Sequence, residues 1–318
     1  MKKAAHLICS LLLLFFCTSG SAAEADPGQA MERGQGKIVF TTYFTIGENC
    51  FNICTVNEDG SCLTRLHKVG DEGTPSISPD GTKIIYMCSK ENDWTESDIY
   101  QMNMDGSDVQ RLTELHDWTI SYPRYFPDGK KLVFGRRVAC NYDLYTLDLS
   151  CGSIQRITQT GEEIREMCAI PSPDGKKLLC SAYLLYENIN TLFLMNADGS
   201  DCRRIVPEGS DAIGMSFSPD GKKIAYCMDN PHPKQIELLD LSTGVTSEVV
   251  RIKDSTNYGE TSFTRDGRRL IINACDDAFP SLPAAAGGGS QLFSVSLDGK
   301  DVKRITTDTY EKLWPMAF

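Results

Sequence analysis

Histidine is scarce in this chain: there are four in 318 residues, and only His67, His116 and His232 lie beyond the N-terminal leader. These three sit in different segments with no ligand-like spacing, which argues against a histidine-rich zinc or manganese site. No C-x-x-C pair occurs, Cys50 and Cys54 being i, i+4, so a haem or thioredoxin-like redox role has no motif to rest on. A Gly-rich phosphate loop and a dinucleotide fingerprint are also missing. Gly214-Met215-Ser216-Phe217-Ser218 comes nearest to G-x-S-x-G, but its last residue is wrong and it falls in a strand pattern instead of at a strand–helix turn. Beyond the leader no apolar run reaches membrane-spanning length. Basic charge is in deficit, 32 Lys and Arg against 43 Asp and Glu, for a formal net charge of -11. Such a surface repels nucleic acid and anionic lipid, and a polyanionic partner would need a local basic patch.

The leader itself has Lys2 and Lys3, an apolar run from Leu7 to Phe16, and small residues ending in Ala23-Glu24-Ala25. This is the pattern of a secretory signal peptide over residues 1–25, cut after Ala23 or Ala25. Bulky Phe16 before Cys17 argues against lipidation there. Residues 26–35 read as a linker, and the mature chain is expected in the periplasm or outside the cell. Of 13 cysteines, Cys9 and Cys17 fall in the leader, and the odd number left implies at least one thiol free or intermolecular. Cys88, Cys180 and Cys227 lie on strand patterns and are expected to be small buried apolar residues.

What the chain has in abundance is repetition. Pro79-Asp80-Gly81-Thr82-Lys83-Ile84 returns at Pro127, Pro173 and Pro219, and a fifth copy starts at Arg265 without the proline. Successive aspartates of this motif are 48, 46, 46 and 46 residues apart. A second motif alternates with it: Asn57-Glu58-Asp59-Gly60-Ser61, Asn103-Met104-Asp105-Gly106-Ser107 and Asn196-Ala197-Asp198-Gly199-Ser200, with looser copies at Asp148, Asp240 and Ser296. Both suit hairpin turns in which glycine takes a positive φ. Between them run short segments rich in Ile, Val, Tyr and Met, such as Lys83 to Cys88 and Asp98 to Asn103. Each period therefore holds four strands, A, B, C and D, which is one propeller blade.

The termini complete the count. Lys37-Ile38-Val39-Phe40 matches a B strand that has no A strand before it, and Pro315 to Phe318 matches an A strand with nothing after it. The expected fold is all-β: residues 36–318 form a six-bladed β-propeller with four-stranded blades, closed when the C-terminal strand completes the N-terminal blade. The Pro-Asp-Gly turns, the Asn-x-Asp-Gly-Ser turns and Arg111-Leu112-Thr113 together resemble the repeats of the TolB-like β-propeller family. The resemblance covers the propeller part only, since the N-terminal α/β domain of TolB itself is not expected here. It implies a protein partner or an envelope or peptidoglycan-associated one. Similar repeats also occur in prolyl oligopeptidase-like peptidases and oligogalacturonate lyases, so fold does not choose the function.

The A–B and C–D turns share one end of the strands and are nearly uniform, whereas the B–C and D–A loops share the other end and vary. That pattern places binding at the variable end. The candidates there are Trp94, His116, Trp118, Tyr122, Arg165, Glu166, Asp211, Tyr258, Glu260 and Lys312, with Trp314 as a further aromatic. Glu166, Asp211 and Glu260 precede innermost strands in three successive repeats and are the one candidate site for a cofactor, Ca²⁺. Arg165 and Lys312 are placed to pair with them. The aspartates of the Pro-Asp-Gly turns are read as turn formers, and the recurring arginines Arg65, Arg111, Arg156, Arg204 and Arg304 as framework or edge charges. The function that fits is a monomeric, non-catalytic binding or scaffold module, with no other cofactor. The alternative is a carbohydrate-active lyase or hydrolase using the mouth carboxylates.

Overall fold

Second strands in this repeat are apolar without alternation: Ile38-Val39-Phe40, Ile84-Ile85-Tyr86, Leu132-Val133-Phe134, Leu178-Leu179-Cys180, Ile224-Ala225-Tyr226 and Leu270-Ile271-Ile272. An unbroken run signals a strand covered on both faces. All of these residues are buried. The computed structural model describes residues 36–44, 50–66, 71–90, 93–115, 120–230, 233–252, 259–275, 278–279, 282, 289–308 and 311–317. The leader and linker lie outside the described residues.

Antiparallel meanders account for all the strands. The first sheet runs β24 (Glu311–Ala317), β1 (Lys37–Phe44), β2 (Cys50–Asn57), β3 (Thr64–Arg65), so the C-terminal strand pairs with the N-terminal one. The next holds β4 (Asp71–Ile77), β5 (Lys83–Lys90), β6 (Asp93–Asn103) and β7 (Gln110–Arg111). A third meander, β8 (Ile120–Tyr125), β9 (Lys131–Val138), β10 (Asn141–Asp148) and β11 (Ile154–Arg156), is joined to a fourth. That fourth is β12 (Ile164–Pro171), β13 (Lys177–Leu184), β14 (Ile189–Asn196) and β15 (Arg203–Arg204), and the link is one parallel pairing of Tyr142 with Arg165. Two further sheets follow: β16 (Ala212–Phe217) to β17 (Lys223–Met228), β18 (Gln235–Asp240) and β19 (Thr246–Arg251); then β20 (Thr261–Phe263), β21 (Arg269–Cys275), β22 (Ser290–Ser296) and β23 (Val302–Arg304). No helix is found among the described residues, and no sheet closes on itself.

Alternate residues of each buried run feed different hydrophobic clusters. Ile84 and Tyr86 pack with Val39 and Ile53 of the first meander, whereas Ile85 packs with Leu132 and Phe134 of the third. Leu178 and Cys180 join Val133 and Leu144, and Leu179 joins Ile224 and Tyr226. Ala225 and Cys227 meet Leu270 and Ile272. Finally Ile271, Leu292 and Ile305 of the last meander pack against Ile38 and Phe40 of the first. Each large side chain so buried contributes roughly 1.5–3 kcal/mol, and the period-2 strand geometry divides that gain between the two flanking contacts.

The turns bear out their mechanical reading. Asp80 Oδ1 accepts the Ser78 hydroxyl at 2.6 Å and the Thr82 N–H at 3.0 Å, and Gly81 follows at φ 74°. Asp174 and Asp220 repeat this geometry with Ser172 and Ser218, and the serine hydroxyl bonds hold all three carboxyls below the usual carboxylate range. Pro79 lies against the turn glycine of the next meander, Gly129; Pro127, Pro173 and Pro219 meet Gly175, Gly221 and Gly267 in the same way. The recurring arginines tie the fourth strand to the third: Arg111 bonds Asp98 and Arg156 bonds Asp143, both at 2.6 Å, and Arg65 Nη2 donates to Asn52 at 2.8 Å. Arg204 donates to Thr191 at 2.8 Å, while Arg304 lies over the Phe293 ring.

Candidate functional site

The variable end is assembled from the B–C and D–A connections and from the first residues of each innermost strand. Those strands are bulged near that end, with register shifts at Gly73/Ser76, Ser121/Arg124, Glu166/Cys168 and Ile213/Ser216. At the first two bulges non-glycine residues take left-handed backbone, Thr74 at φ 52° and Tyr122 at φ 48°. Such conformations cost of order 1–3 kcal/mol and persist only where the surroundings hold them. Arg124 holds both: its Nη1 donates to Thr74 O at 3.3 Å and Pro75 O at 3.2 Å, and its guanidinium lies 5.9 Å from the Tyr122 ring centroid. Arg124 was not among the sequence candidates. Its signal is Tyr122-Pro123-Arg124 on an innermost strand, where the neighbouring strand β4 carries Thr74-Pro75-Ser76.

Two of the three carboxylates expected to share a calcium ion, Glu166 and Asp211, have separate partners. Glu166, on β12 and 2% exposed, accepts a short hydrogen bond from the Thr158 hydroxyl of the preceding meander. Burial pushes its carboxyl up to about 7 against the lowering effect of that bond, and the nearby Asp143 adds to the rise. Asp211 Oδ1 accepts the backbone N–H of Asn190 at 2.9 Å and its side-chain amide at 3.2 Å. Glu260 is half-buried and its backbone N–H bonds Asn273 Oδ1 at 2.9 Å. Among the described residues no group of three or more His, Cys, Asp or Glu side chains is placed to hold a metal ion. The calcium expectation therefore meets no such cluster among the described residues, and the Glu166 and Asp211 carboxylates are directed toward neighbouring chain segments.

The two cations expected to pair with these acids do not. Lys312, on β24, is buried and forms an ion pair with Asp308 four residues before it. Arg165 instead lies over the Tyr142 ring, 5.4 Å from its centroid. Tyr122 is half-buried. The side chain of Trp94, like those of His116, Trp118, Tyr258 and Trp314, lies outside the described residues. Cys88 and Cys227 are buried as expected, and burial pushes both thiols up to about 12, which leaves them unreactive at neutral pH. Cys180 is likewise buried. Among the described residues, hydrogen bonds hold the Glu166 and Asp211 carboxylates in place.

At the opposite end, a polar cavity of about 430 Å³ lies between the third and fourth meanders, lined among others by Asp128, Lys131, Arg156 and Asp198. Sequence reasoning had treated this end as purely structural.

Residues 61–182 match the family model described as the TolB beta propeller domain. A protein TolB homolog of Chlorobium chlorochromatii is 24% identical over 209 residues, covering 66% of this chain and 43% of that protein. The chain thus spans less than half the length of that relative. Among solved structures, TolB from Acinetobacter baumannii superposes with a TM-score of 0.74 at 20% identity, over 89% of this chain and 66% of that one. An oligogalacturonate lyase from Vibrio parahaemolyticus gives a TM-score of 0.55 at 15% identity, over 85% of this chain and 79% of the other. At these identities the structural likenesses speak for the fold alone.

Proposed function

We propose that this chain, a member of the TolB-like β-propeller repeat family, is an exported, non-catalytic binding or scaffold module that recognises a protein or an envelope ligand with the variable end of its strands. In this reading the six meanders stand as six blades in a closed ring, with blade one shared between the two termini. Six hydrophobic clusters support it, each spanning two successive meanders, the sixth joining last to first. So does Gly60 of the first meander, where a Cβ would meet the Ile305 carbonyl of the last at 2.5 Å.

The observation that carries the binding role is the contrast between ends: uniform, self-satisfied turns at one, and divergent connections on a rigid frame at the other. A lyase or hydrolase reading gains nothing from Glu166 and Asp211, which are already engaged by Thr158 and Asn190. Among the described residues no helix is long and apolar enough to cross a membrane, a statement that does not bear on β-barrels. Export to the periplasm with cleavage near Ala23 or Ala25 belongs to the same reading, as does a monomeric state.

The test is a crosslinking pull-down from envelope extract with the full chain, comparing Tyr122→Ala and Glu260→Gln with Asp105→Asn and Asp198→Asn at the other end. Loss of the captured protein in the first pair alone is expected. Loss confined to the second pair, or turnover of a polysaccharide or peptide panel by the purified protein, would overturn the proposal. Mass spectrometry of the purified protein is expected to show a start at Glu24 or Asp26.

A further inference from the structure

At the joint of the third and fourth meanders the turn end departs from its own repeat in three places. The residue that follows each third strand is Met104 after β6, Leu149 after β10, Leu241 after β18 and Leu297 after β22, and each packs into the hydrophobic cluster shared with the preceding meander. After β14 that residue is Ala197. Its backbone is placed as in the other copies: its N–H bonds Lys176 O at 2.9 Å, as Met104 N–H bonds Thr82 O and Leu149 N–H bonds Lys130 O. A methyl group thus stands where longer side chains fill the corresponding joints. The polar cavity of about 430 Å³ lies there, with Ala197 in its wall.

The other two departures release a cation and an acid. Lys83, Lys177 and Arg269 open the second strands β5, β13 and β21, and each pairs with an aspartate five residues beyond the end of the third strand: Asp108 at 3.1 Å, Asp201 at 3.4 Å and Asp301 at 2.6 Å. In the third meander that place is taken by Ser153, and Lys131, which opens β9, has no ion pair among the described residues. Its register partner Asp148 is bonded by the N–H and hydroxyl of Ser150 in its own turn. Likewise Ser78, Ser172, Ser218 and Thr264 each donate a hydroxyl bond to the aspartate of their own turn. Phe126 stands in that place before Asp128, whose Oδ1 accepts the Lys130 N–H at 2.9 Å and no hydroxyl. On the fourth meander Asp198 gives its Oδ1 to the N–H and hydroxyl of Ser200, leaving its Oδ2 unengaged.

Both signs of charge therefore line one space. Lys131, Asp128 and Asp198 all border the cavity, together with the exposed side chain of Gln155 and an apolar stretch made by Phe126 and Ile157. Arg156 borders it too, but its guanidinium is committed to Asp143 at 2.6 Å and to Thr158 O at 2.9 Å. With Arg156 set against Asp143, the wall holds two carboxylates and one ammonium. A ligand that is only anionic meets the excess acid, and one that is only cationic meets Lys131. A ligand carrying both charges satisfies all three groups through charge-assisted hydrogen bonds, the stronger kind. We propose that this cavity binds a small zwitterion of the amino-acid class, a free amino acid or a dipeptide, with its carboxylate on Lys131 and Gln155 and its ammonium on Asp128 and Asp198. The ligand's side chain lies on Phe126 and Ile157, and the volume falls in the range of small-ligand sites. The site is at the opposite end of the strands from the protein-binding surface proposed above and does not depend on it.

Ligand-observed NMR titration of the full chain tests this with L-leucine and L-alanyl-L-leucine as zwitterions, N-acetyl-L-leucine and L-leucinamide as forms lacking one charge, and maltose as a neutral probe. At least one zwitterion is expected to bind, the tighter of the two telling amino acid from dipeptide, and each single-charge form to bind about tenfold more weakly. Restoring the repeat closes the site: Ala197→Leu is expected to abolish binding with an equal or higher melting temperature. Ser153→Asp, which gives Lys131 the acid it lacks, is expected to weaken binding about tenfold, as are Lys131→Gln and Asp198→Asn. A thermal melt of every variant separates loss of the site from loss of the fold, and Lys131, exposed and without an ion pair, is the position least tied to folding. Binding that survives Ala197→Leu in a folded protein, equal binding of the acetyl or amide form, preference for maltose, or no binding of either zwitterion at about 10 mM would overturn the site.

Discussion

The two ends of the strands in this protein obey different rules. At the turn end the second to fifth meanders repeat one solution: an aspartate accepts the hydrogen bonds of its own turn, a glycine takes positive φ, and a proline rests on the glycine next door. Polar groups there are satisfied within a few residues, so the end is stable without reference to anything beyond the neighbouring turn. At the loop end polar groups are satisfied over long range. Arg124 reaches carbonyls of the previous meander, Thr158 reaches Glu166, and Asn190 reaches Asp211. Local closure permits repetition; long-range closure makes each joint individual, and individuality is what a binding surface requires.

The largest effect expected from breaking this arrangement is at the seam. Removing residues 313–318 takes away most of β24, the partner of β1, so a loss of about 5 kcal/mol or more, or ~10 °C in Tm, is expected. Thermal circular dichroism and size-exclusion chromatography would report it, and an unchanged melt would mean that the first sheet does not depend on its C-terminal strand.

Turn glycines offer a sharper contrast within one motif. A Cβ on Gly299 would lie 1.9 Å from the Val249 carbonyl, whereas one on Gly152 would meet nothing within 4 Å. Gly299→Ala is expected to cost about 3 kcal/mol and Gly152→Ala about 1 kcal/mol, the conformational penalty alone. Urea melts giving equal losses would show that the contact between meanders does not matter.

Glu166 probes the loop end through pH. Burial, the main cause, pushes its folded carboxyl up to about 7 from an ordinary value of about 4.5. The folded state thus holds the proton more tightly than the unfolded chain, and stability falls as pH rises between those two values. Glu166→Gln should flatten that dependence, the difference from the parent changing by about 2 kcal/mol between pH 5 and 8. If both proteins lost stability in parallel over that range, Glu166 would not be the group responsible. The smallest effect is expected at Pro79, where Pro79→Ala should lower stability by about 0.5 kcal/mol through the unfolded chain.

Much of this was legible before any coordinates. The spacing of Asp80, Asp128, Asp174, Asp220 and Asp266 announces the repeat, and the match of Lys37–Phe40 to later second strands predicts that the C-terminus supplies the missing partner. The recurring arginines are framework groups as expected, bonded to Asp98 and Asp143. The site was less legible. Lys312, read as a pairing group at the mouth, is buried with Asp308, and Glu166 is engaged by Thr158. Spacing places a residue at a strand start, yet the bulge that follows decides where its side chain goes.

What the sequence determined by itself is whatever local chemistry settles: turn type, strand length, the doubly buried runs and the period that repeats them. Each depends on contacts within a few residues or on a pattern copied from one meander to the next. What only the tertiary structure decided are the partnerships between copies, such as Arg137, Tyr142 and Arg165 coming into one row through the Tyr142–Arg165 bridge. Arg165 belongs to the repeat after that of Arg137 and Tyr142 and shares no motif with them. Their meeting follows from strand register and sheet twist summed over many residues, which no local pattern encodes.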